Sequence, residues 1–201
     1  MKLGVAGSKE EFLQLSADHP HIEWLELKDV DSFVQHEDID AFFNLSTDAY
    51  KRNYSLLKVP VFINSVVHPL GDVKNLIRFN GWNGFIEHET WEMAGNINAE
   101  AKAVLLALKK KFLQVPDEAG FISARVIAMI INEAWFALGE KISTETEIDI
   151  AMKLGTNYPY GPFEWGYNIG MKNIYDLLQQ MALQNQKYQP APLLRKYILT
   201  I

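Results

Sequence analysis

The chain has 201 residues, of which 48% are apolar and 22% charged, and it carries a net charge of -6 at neutral pH. This composition is typical of a globular protein of one or two domains. The acidic balance argues against a broad surface for nucleic acid or anionic membranes, because such surfaces need many lysines and arginines. The absence of cysteine excludes disulfides, thiolate metal sites and cysteine nucleophiles, and no other metal site is predicted. Without a signal-peptide pattern or a long apolar run, a cytoplasmic location is expected.

Residues 1–116 alternate short apolar runs with polar connections, which predicts a small α/β domain. The first strand is predicted at Leu3–Ala6, and Ser8 and Glu11 have the spacing of a capping box that begins a helix. Strands connected in this way favour a parallel or mixed sheet. Further strands are predicted at 22–27, 39–45, 59–63, 76–79, 85–93 and 113–115, and helices at 30–35 and 99–111.

Residues 117–201 have helical patterns throughout, which predicts a separate all-α domain. The helix predicted at 121–138 is apolar on nearly all sides, so we expect it to be buried. Its apolar character, with the apolar C-terminal residues, favours burial against another subunit. Further helices are predicted at 144–155, at 162–185 with Gly166 and Gly170 as candidate kinks or breaks, and after Pro192.

The helical half carries four spaced motifs, which are Asp117-x-x-Gly120-Phe121-x-x-x-Arg125, Asn132-Glu133-Ala134, Asp149-x-Ala151-Met152-x-x-Gly155 and Pro159-x-Gly161-Pro162-Phe163-Glu164. Their pattern resembles the C-terminal domain of the 3-hydroxyacyl-CoA dehydrogenases. The resemblance implies a reduced Rossmann-like domain that precedes a helical domain, and a homodimer formed through the helical domain. It also implies NAD as cofactor, an acyl-CoA-type ligand, and oxidation of 3-hydroxyacyl-CoA.

The segment from Asn80 to Glu92 resembles the catalytic strand-turn-strand of that family. Glu92 stands where the family has the glutamate that orients a catalytic histidine, and Asn83 keeps a nearby asparagine. Asn80 stands at the histidine position. Because an amide cannot cycle a proton, the resemblance predicts a degenerate catalytic site with weak or lost activity.

Two substrate-contacting positions have also changed. Asn64 and Ser65 resemble the family's Asn-Thr-Ser turn, but Val66 replaces the serine that touches substrate. Ala124 stands where the family has a substrate-binding asparagine, and alanine offers no side-chain hydrogen bond. These changes again favour altered or absent dehydrogenase chemistry.

The predicted cofactor loop is incomplete. Gly4 and Gly7 resemble the start of the family's phosphate loop, but of the three glycines of a dinucleotide fingerprint only Gly7 is kept. Lys9 stands at the second glycine position. Glu10 and Glu11 place two carboxylates at the helix N-terminus, where a pyrophosphate would bind.

Candidate contacts to the rest of a nucleotide or to CoA are few. Glu26, at the end of the second strand, is either an acceptor for a ribose hydroxyl or a surface residue. The family's CoA-contacting helical hairpin has no room within residues 27–39. CoA would therefore depend on cations such as Lys51, Arg52 and Lys58, which are also consistent with a solvated face.

Several alternatives stay open on the sequence alone. One is a non-catalytic module that binds an acyl chain or pairs with an active relative. Another is a different enzyme that uses Glu92 alone as a base. His88 lies four residues before Glu92 and would pair with it if the segment formed a helical turn, although an exposed histidine is the simpler interpretation. Trp82 is a candidate to fill the volume that nicotinamide occupies in relatives.

Overall fold

The computed structural model describes residues 1–71 and 73–200, and the chain divides into two compact units. The first unit, Met1–Phe121, is an α/β structure, and the second unit begins at Ile122 and is helical. The predicted fold class is therefore confirmed. The first unit extends a few residues past the predicted boundary at residue 117, because Asp117 and Glu118 bond to Arg78 within its sheet.

Each unit is assembled from short elements. The strands are β1 (Lys2–Ala6), β2 (Glu23–Leu27), β3 (Ala41–Asn44), β4 (Val61–Asn64), β5 (Leu76–Phe79), β6 (Thr90–Gly95) and β7 (Lys111–Gln114). The helices are α1 (Lys9–Ser16), α2 (Ala99–Ala107), α3 (Ser123–Gly139), α4 (Glu145–Thr156), α5 (Pro162–Ile169), α6 (Met171–Ala182) and α7 (Pro192–Ile198). Turns of 3-10 helix lie at Val30–Gln35, Ala49–Lys51 and Gln186–Tyr188.

The sheet has the strand order β2-β1-β3-β4-β5-β6-β7. Strands β1 to β5 are parallel, β6 is antiparallel to β5, and β7 is parallel to β6. Between β2 and β3 the chain crosses from one side of β1 to the other. The carboxyl ends of β1 and β3 therefore form a topological switch point, which is where open α/β sheets bind ligands.

The two faces of the sheet are covered differently. On one face α1 and α2 pack over a core in which the rings of Phe43 and Phe62 stack with centroids 4.6 Å apart. On the other face, loops and 3-10 turns cover a second core, where Phe33 stacks on Phe42 at 4.3 Å. The domain is reduced because 3-10 turns on this second face replace full crossover helices.

The predicted strand at residues 85–93 is wrong in its first half, since β6 begins only at Thr90. In the preceding turn, the backbone N–H of Phe85 donates to the carbonyl of Trp82 at 2.9 Å, and that of His88 donates to the carbonyl of Phe85 at 3.2 Å. These local bonds satisfy donors that a strand would direct to its neighbour. The antiparallel pair β5–β6 is therefore joined by a folded loop rather than by a hairpin turn.

In the helical unit, α3 packs against α5, α6 and α7. The predicted third helix breaks at Gly170, where φ is +96°. Helix α4 runs past the predicted end at Gly155, and Asn157 ends it with φ at +57°. The predicted burial of α3 holds for one face only, because Val126 is 54% exposed. No helix in the described ranges is both long and apolar enough to cross a membrane.

Candidate functional site

A polar cavity of about 450 Å³ lies at the topological switch point of the sheet, and we call it the switch-point pocket. Its walls come from the segments that follow β1, β2 and β3, together with the first turn of α1. This position is where the fold is expected to bind a ligand. The pocket is lined by Ala6, Gly7, Ser8, Glu11, Lys28, Asp29, Val30, Asn44, Ser46, Thr47, Asp48 and Arg52.

The N-terminus of α1 borders this pocket and is capped by its own side chains. Ser8 Oγ accepts the backbone N–H of Glu11 at 3.2 Å, and Glu11 Oε2 accepts the backbone N–H of Ser8 at 2.7 Å. The predicted capping box is therefore confirmed. A Cβ added to Gly7 would lie 3.1 Å from Glu11 Oε2, so the carboxylate lies against the loop that a phosphate would approach.

The other two candidate cofactor residues, Gly4 and Glu26, do not lie together in one site. Gly4 lies inside β1, where a Cβ would approach the ring of Phe42 to 2.7 Å, so this glycine serves sheet packing. Glu26 accepts a hydrogen bond from Lys9 Nζ at 3.0 Å, and both side chains are largely exposed. Of the glycine and carboxylate candidates named for NAD, Gly7 lines the pocket and Gly4 and Glu26 do not.

Asn64 and Ser65, the candidate substrate contacts at the end of β4, are buried and bonded within the first unit. Asn64 Nδ2 donates to the carbonyl of Leu45 at 2.9 Å, and its Oδ1 accepts the N–H of Gly81 at 3.2 Å. Ser65 Oγ donates to the carbonyl of His68 at 2.7 Å. The amide of Asn64 thus connects the ends of neighbouring strands, which is a structural role.

The segment that resembles the catalytic strand-turn-strand brings Asn80 and Glu92 together at the junction of β5 and β6. The backbone N–H of Asn80 donates to the carbonyl of Glu92 at 3.2 Å, and its side-chain Oδ1 accepts the N–H of Trp82 at 3.3 Å. Asn83 lies on the following turn, where its Oδ1 accepts Gln14 Nε2 at 3.1 Å. Asn80 is 2% exposed, so its amide is a buried neutral group at the end of the sheet.

The pairing of His88 with Glu92 through a helical turn is not formed. Glu92 belongs to β6, whereas His88 lies in the turn before it and contacts the ring of Phe85 with centroids 5.2 Å apart. Trp82, the other residue singled out near this segment, is 3% exposed. Within the described ranges, no cluster of three histidine or carboxylate side chains is arranged to hold a metal ion.

Sequence reasoning missed a buried arginine beside this segment. Arg78 on β5 is 1% exposed and donates through Nε to the carbonyl of Ser65 at 2.8 Å and through Nη2 to that of Glu118 at 2.9 Å. It also pairs with Asp117 and lies 4.3 Å from the ring centroid of Phe121. Burial lowers the pKa of Arg78, and Asp117 opposes this effect. The signal was a single arginine within an otherwise apolar strand.

In the helical unit, Ala124 is fully buried in the first turn of α3. The diagnostic motif of this unit is a helix cap. The carboxylate of Asp149 accepts the N–H of Phe163 at 2.8 Å and that of Glu164 at 3.1 Å, at the start of α5. A Cβ on Gly161 would lie 2.3 Å from Asp149, so only glycine fits there. The positions of Asp149 and Gly161 in the sequence motifs are thus explained by the cap that begins α5.

Comparison with known proteins finds relatives of the second half of the chain. Residues 120–200 match the family described as "3-hydroxyacyl-CoA dehydrogenase, C-terminal domain". Over 92 residues the chain is 44% identical to the 3-hydroxyadipyl-CoA dehydrogenase of Escherichia coli strain K12, covering 45% of this chain and 19% of that protein. It is 36% identical over 101 residues to a probable 3-hydroxybutyryl-CoA dehydrogenase of Bacillus subtilis, covering 49% and 35%. The matches thus span about a fifth to a third of the relatives' lengths.

A solved structure is similar over nearly the whole chain. The (S)-3-hydroxybutyryl-CoA dehydrogenase PaaH1 of Ralstonia eutropha superimposes with a TM-score of 0.73, covering 99% of this chain and 93% of that one. The sequence identity is 18%, so this likeness shows the fold. The fold is a Rossmann-like α/β unit with a helical unit after it.

Proposed function

We propose that this chain, whose residues 120–200 match the C-terminal domain of the 3-hydroxyacyl-CoA dehydrogenases, is a divergent member of that family in which NAD-linked oxidation of 3-hydroxyacyl-CoA is weak or lost. The observation that carries this proposal is the Glu11 carboxylate at the N-terminus of α1. In a dinucleotide fingerprint, that N-terminus binds pyrophosphate through backbone N–H groups that no side chain occupies.

The residues at α1 do not fit the pyrophosphate of NAD. Glu11 already accepts the N–H of Ser8 at 2.7 Å, and Glu10 adds a second carboxylate to the first turn. Lys9, the cation of this turn, is already paired with the carboxylate of Glu26. A carboxylate and a phosphate oxygen about 4 Å apart repel by roughly 4 kcal/mol at an effective dielectric constant of about 20. That repulsion corresponds to about three orders of magnitude in affinity.

The missing acid–base group supports the same proposal. By the family resemblance, Asn80 stands where the catalytic histidine is needed to take the proton of the substrate hydroxyl. Its amide is buried, and its carbonyl oxygen accepts the N–H of Trp82. An amide does not exchange a proton near neutral pH, so Asn80 offers no general base.

We propose that the helical unit forms a homodimer, and its surface also favours a second candidate function, a non-catalytic binding or assembly module. On α4, Ile150 is 48% and Leu154 84% exposed, one helical turn apart on the same face. Exposed apolar faces of this kind mark protein interfaces. Such a module would pair with itself or with an active relative, and by resemblance its small-molecule ligand would be of the acyl-CoA type.

A turnover assay tests the loss of dehydrogenase activity. Purified protein is mixed with acetoacetyl-CoA and NADH, and consumption of NADH is followed. We expect only background for the natural chain and for Asn80→His, because restoring the imidazole leaves Glu11 in place. The double variant Asn80→His, Glu11→Ala supplies the imidazole and removes the capping side chain, and it is expected to exceed Asn80→His alone. Turnover by the natural chain at the rates usual for enzymes, about 1–1,000 per second, would refute the proposal.

The oligomer is tested separately by light scattering of the eluting protein. We expect a dimer that Leu154→Glu converts to a monomer. The matched control is Leu183→Glu, which changes an equally apolar residue that is 80% exposed just after α6. A monomeric natural chain would contradict the dimer.

A third outcome concerns catalysis without NAD. An NAD-independent activity that the Glu92→Gln variant loses would favour a different enzyme in which Glu92 alone acts as the base.

A further inference from the structure

A second cavity of the first unit, of about 680 Å³, lies along α1, and we call it the α1 groove. One face of the helix lines it, because Glu10, Leu13 and Ala17 are spaced three and four residues apart. The lining also includes Glu87, from the loop between β5 and β6, and Lys110, just before β7. The α1 groove shares no lining residue with the switch-point pocket, so it is a separate site.

Three carboxylates line the α1 groove, those of Glu10, Asp18 and Glu87. None of them accepts a hydrogen bond or forms an ion pair within residues 1–71 and 73–200. Asp18 lies just past the C-terminus of α1, where the helix carbonyls carry a partial negative charge, and the last turn of the helix holds no basic residue. The helix dipole and the carboxylates therefore both attract a cation to this groove.

The two lysines in the lining are engaged with other groups. Lys9 is paired with Glu26, which lies outside the groove. Lys110 Nζ donates to the carbonyls of Ile86 and His88 at 2.9 and 2.8 Å. Neither ammonium group forms an ion pair with a carboxylate of the groove in the described part of the chain. An anion would meet repulsion from three carboxylates, whereas a cation would meet acceptors that have no partner.

A buried histidine adds a neutral polar group to the lining. His19 is 7% exposed, and its Nδ1 has no hydrogen-bond partner in the described ranges. Burial, and then the charge of Lys110, lower the pKa of His19, so the imidazole is neutral at about pH 7 and one ring nitrogen can accept a hydrogen bond. Buried polar atoms without a partner are uncommon in folded proteins, so this one points to a missing ligand. A neutral acceptor among carboxylates suits an N–H donor.

We propose that the α1 groove binds a linear aliphatic polyamine, with its ammonium groups at the carboxylates and its methylene chain along Leu13 and Ala17. Glu10 and Asp18 lie eight positions apart, which corresponds to roughly 12 Å along the chain of α1 at about 1.5 Å per residue. The terminal ammonium groups of extended spermidine are separated by a comparable distance. Leu13 is 50% exposed, so the methylene groups would cover apolar surface between the charged ends.

Other cations fit the groove less well. A metal ion needs several ligands that converge, and the described residues contain no cluster of three histidine or carboxylate side chains arranged to hold one. A short monoamine reaches one end of the groove only, and a single exposed ion pair contributes little affinity. A polyamine joins several such pairs in one molecule, so that their contributions combine. The inference goes beyond the proposed function and does not depend on whether the chain is catalytic.

Calorimetric titration of the full chain at low ionic strength tests the inference with spermidine, butylamine and Mg²⁺. Butylamine carries one ammonium group, and Mg²⁺ is a compact multivalent cation. We expect spermidine to bind about tenfold or more tightly than either of them, because it alone spans the groove. Equal affinity for butylamine, equal affinity for Mg²⁺, or no binding of spermidine at millimolar concentration would overturn the proposal.

Three variants identify the site. Glu10→Gln and Asp18→Asn each remove one negative charge at an end of the groove, and each is expected to weaken spermidine by about threefold to tenfold. The matched control is Glu37→Gln, which removes the charge of an exposed carboxylate of the same unit that does not line the groove. Circular dichroism verifies that all three fold. An affinity that Glu10→Gln and Asp18→Asn leave unchanged, or that Glu37→Gln lowers equally, would indicate diffuse attraction to an acidic protein and refute the assignment.

Discussion

Replacing Arg78 by methionine should destabilise the first unit strongly. Arg78 is 1% exposed, and its guanidinium donates to the backbone carbonyls of Ser65, Val66 and Glu118 and forms an ion pair with Asp117. Methionine fills much of the same volume but donates no hydrogen bond. The variant therefore leaves the carbonyls of Ser65 and Glu118 without this donor and the Asp117 carboxylate without its cation.

The magnitude follows from the burial of these groups. Breaking a buried ion pair by removing one partner costs about 3–5 kcal/mol. Asp117 is the less buried partner, with its side chain 26% exposed, and it still accepts the N–H groups of Leu70 and Gly71 at 3.0 and 2.7 Å. Because Asp117 is partly hydrated, its unpaired carboxylate costs less free energy than a fully buried one would. The carbonyls of Ser65 and Glu118, which lose their donor, add to the cost. We expect a loss of about 3 kcal/mol, a large part of the roughly 5–15 kcal/mol of a typical domain.

Urea unfolding followed by tryptophan fluorescence measures this loss, and the transition of the first unit is fitted separately from that of the second. Arg78→Lys keeps the charge but not the fork of donors, so its loss should be smaller. Arg195→Met, which removes an exposed arginine of α7, is the control and should change stability by no more than about 0.5 kcal/mol. A loss below about 1 kcal/mol in Arg78→Met would refute the structural role of this arginine.

Two further predictions concern the cap of α5 and the pH dependence of stability. Asp149→Ala removes the acceptor for two N–H groups and should destabilise the helical unit by about 1–3 kcal/mol in urea unfolding, with a smaller loss for Asp149→Asn; equal stability of all three chains would contradict this. Burial, then Lys110 and His21, lower the pKa of His19 below its usual 6.5. The unfolded chain therefore binds this proton at higher pH than the folded chain, so His19 costs no stability above about pH 6.5 and an increasing amount as the pH falls toward its folded pKa. His19→Phe should reduce the loss of unfolding free energy between about pH 7 and pH 5, and an unchanged slope would contradict the shift.

Features set by local spacing were predictable from the sequence. The capping boxes of Ser8 with Glu11 and of Thr144 with Glu147 both form, because a side chain three residues from the helix start reaches the free N–H groups whatever lies around it. Strand β2 also lies where the apolar alternation predicted a strand, and helix α7 begins at Pro192, as predicted. The strand order, in contrast, depends on contacts between distant segments, and the sequence pattern did not indicate it.

The errors and omissions arise from long-range contacts. Residues 85–89 have the apolar content of a strand, but they fold into a turn whose carbonyl of Ile86 accepts Trp91 Nε1 at 3.0 Å. The pairing of Arg78 with Asp117 joins residues 39 positions apart, so no local pattern reveals it. Asn64 was recognised as a site position by resemblance, yet its bonds to neighbouring loops could be seen only in the folded chain.

The most direct test of the central proposal, that the capped N-terminus of α1 does not hold NAD, is titration of the purified protein with NADH. Tryptophan fluorescence and calorimetric heat are followed first without and then with acetoacetyl-CoA. We expect no saturable signal up to millimolar NADH in either case, because the capping box of Ser8 and Glu11 occupies the N–H groups of both residues and places a carboxylate where pyrophosphate would bind. Saturable binding in the micromolar range would contradict this and would restore the dehydrogenase reaction as the expected function.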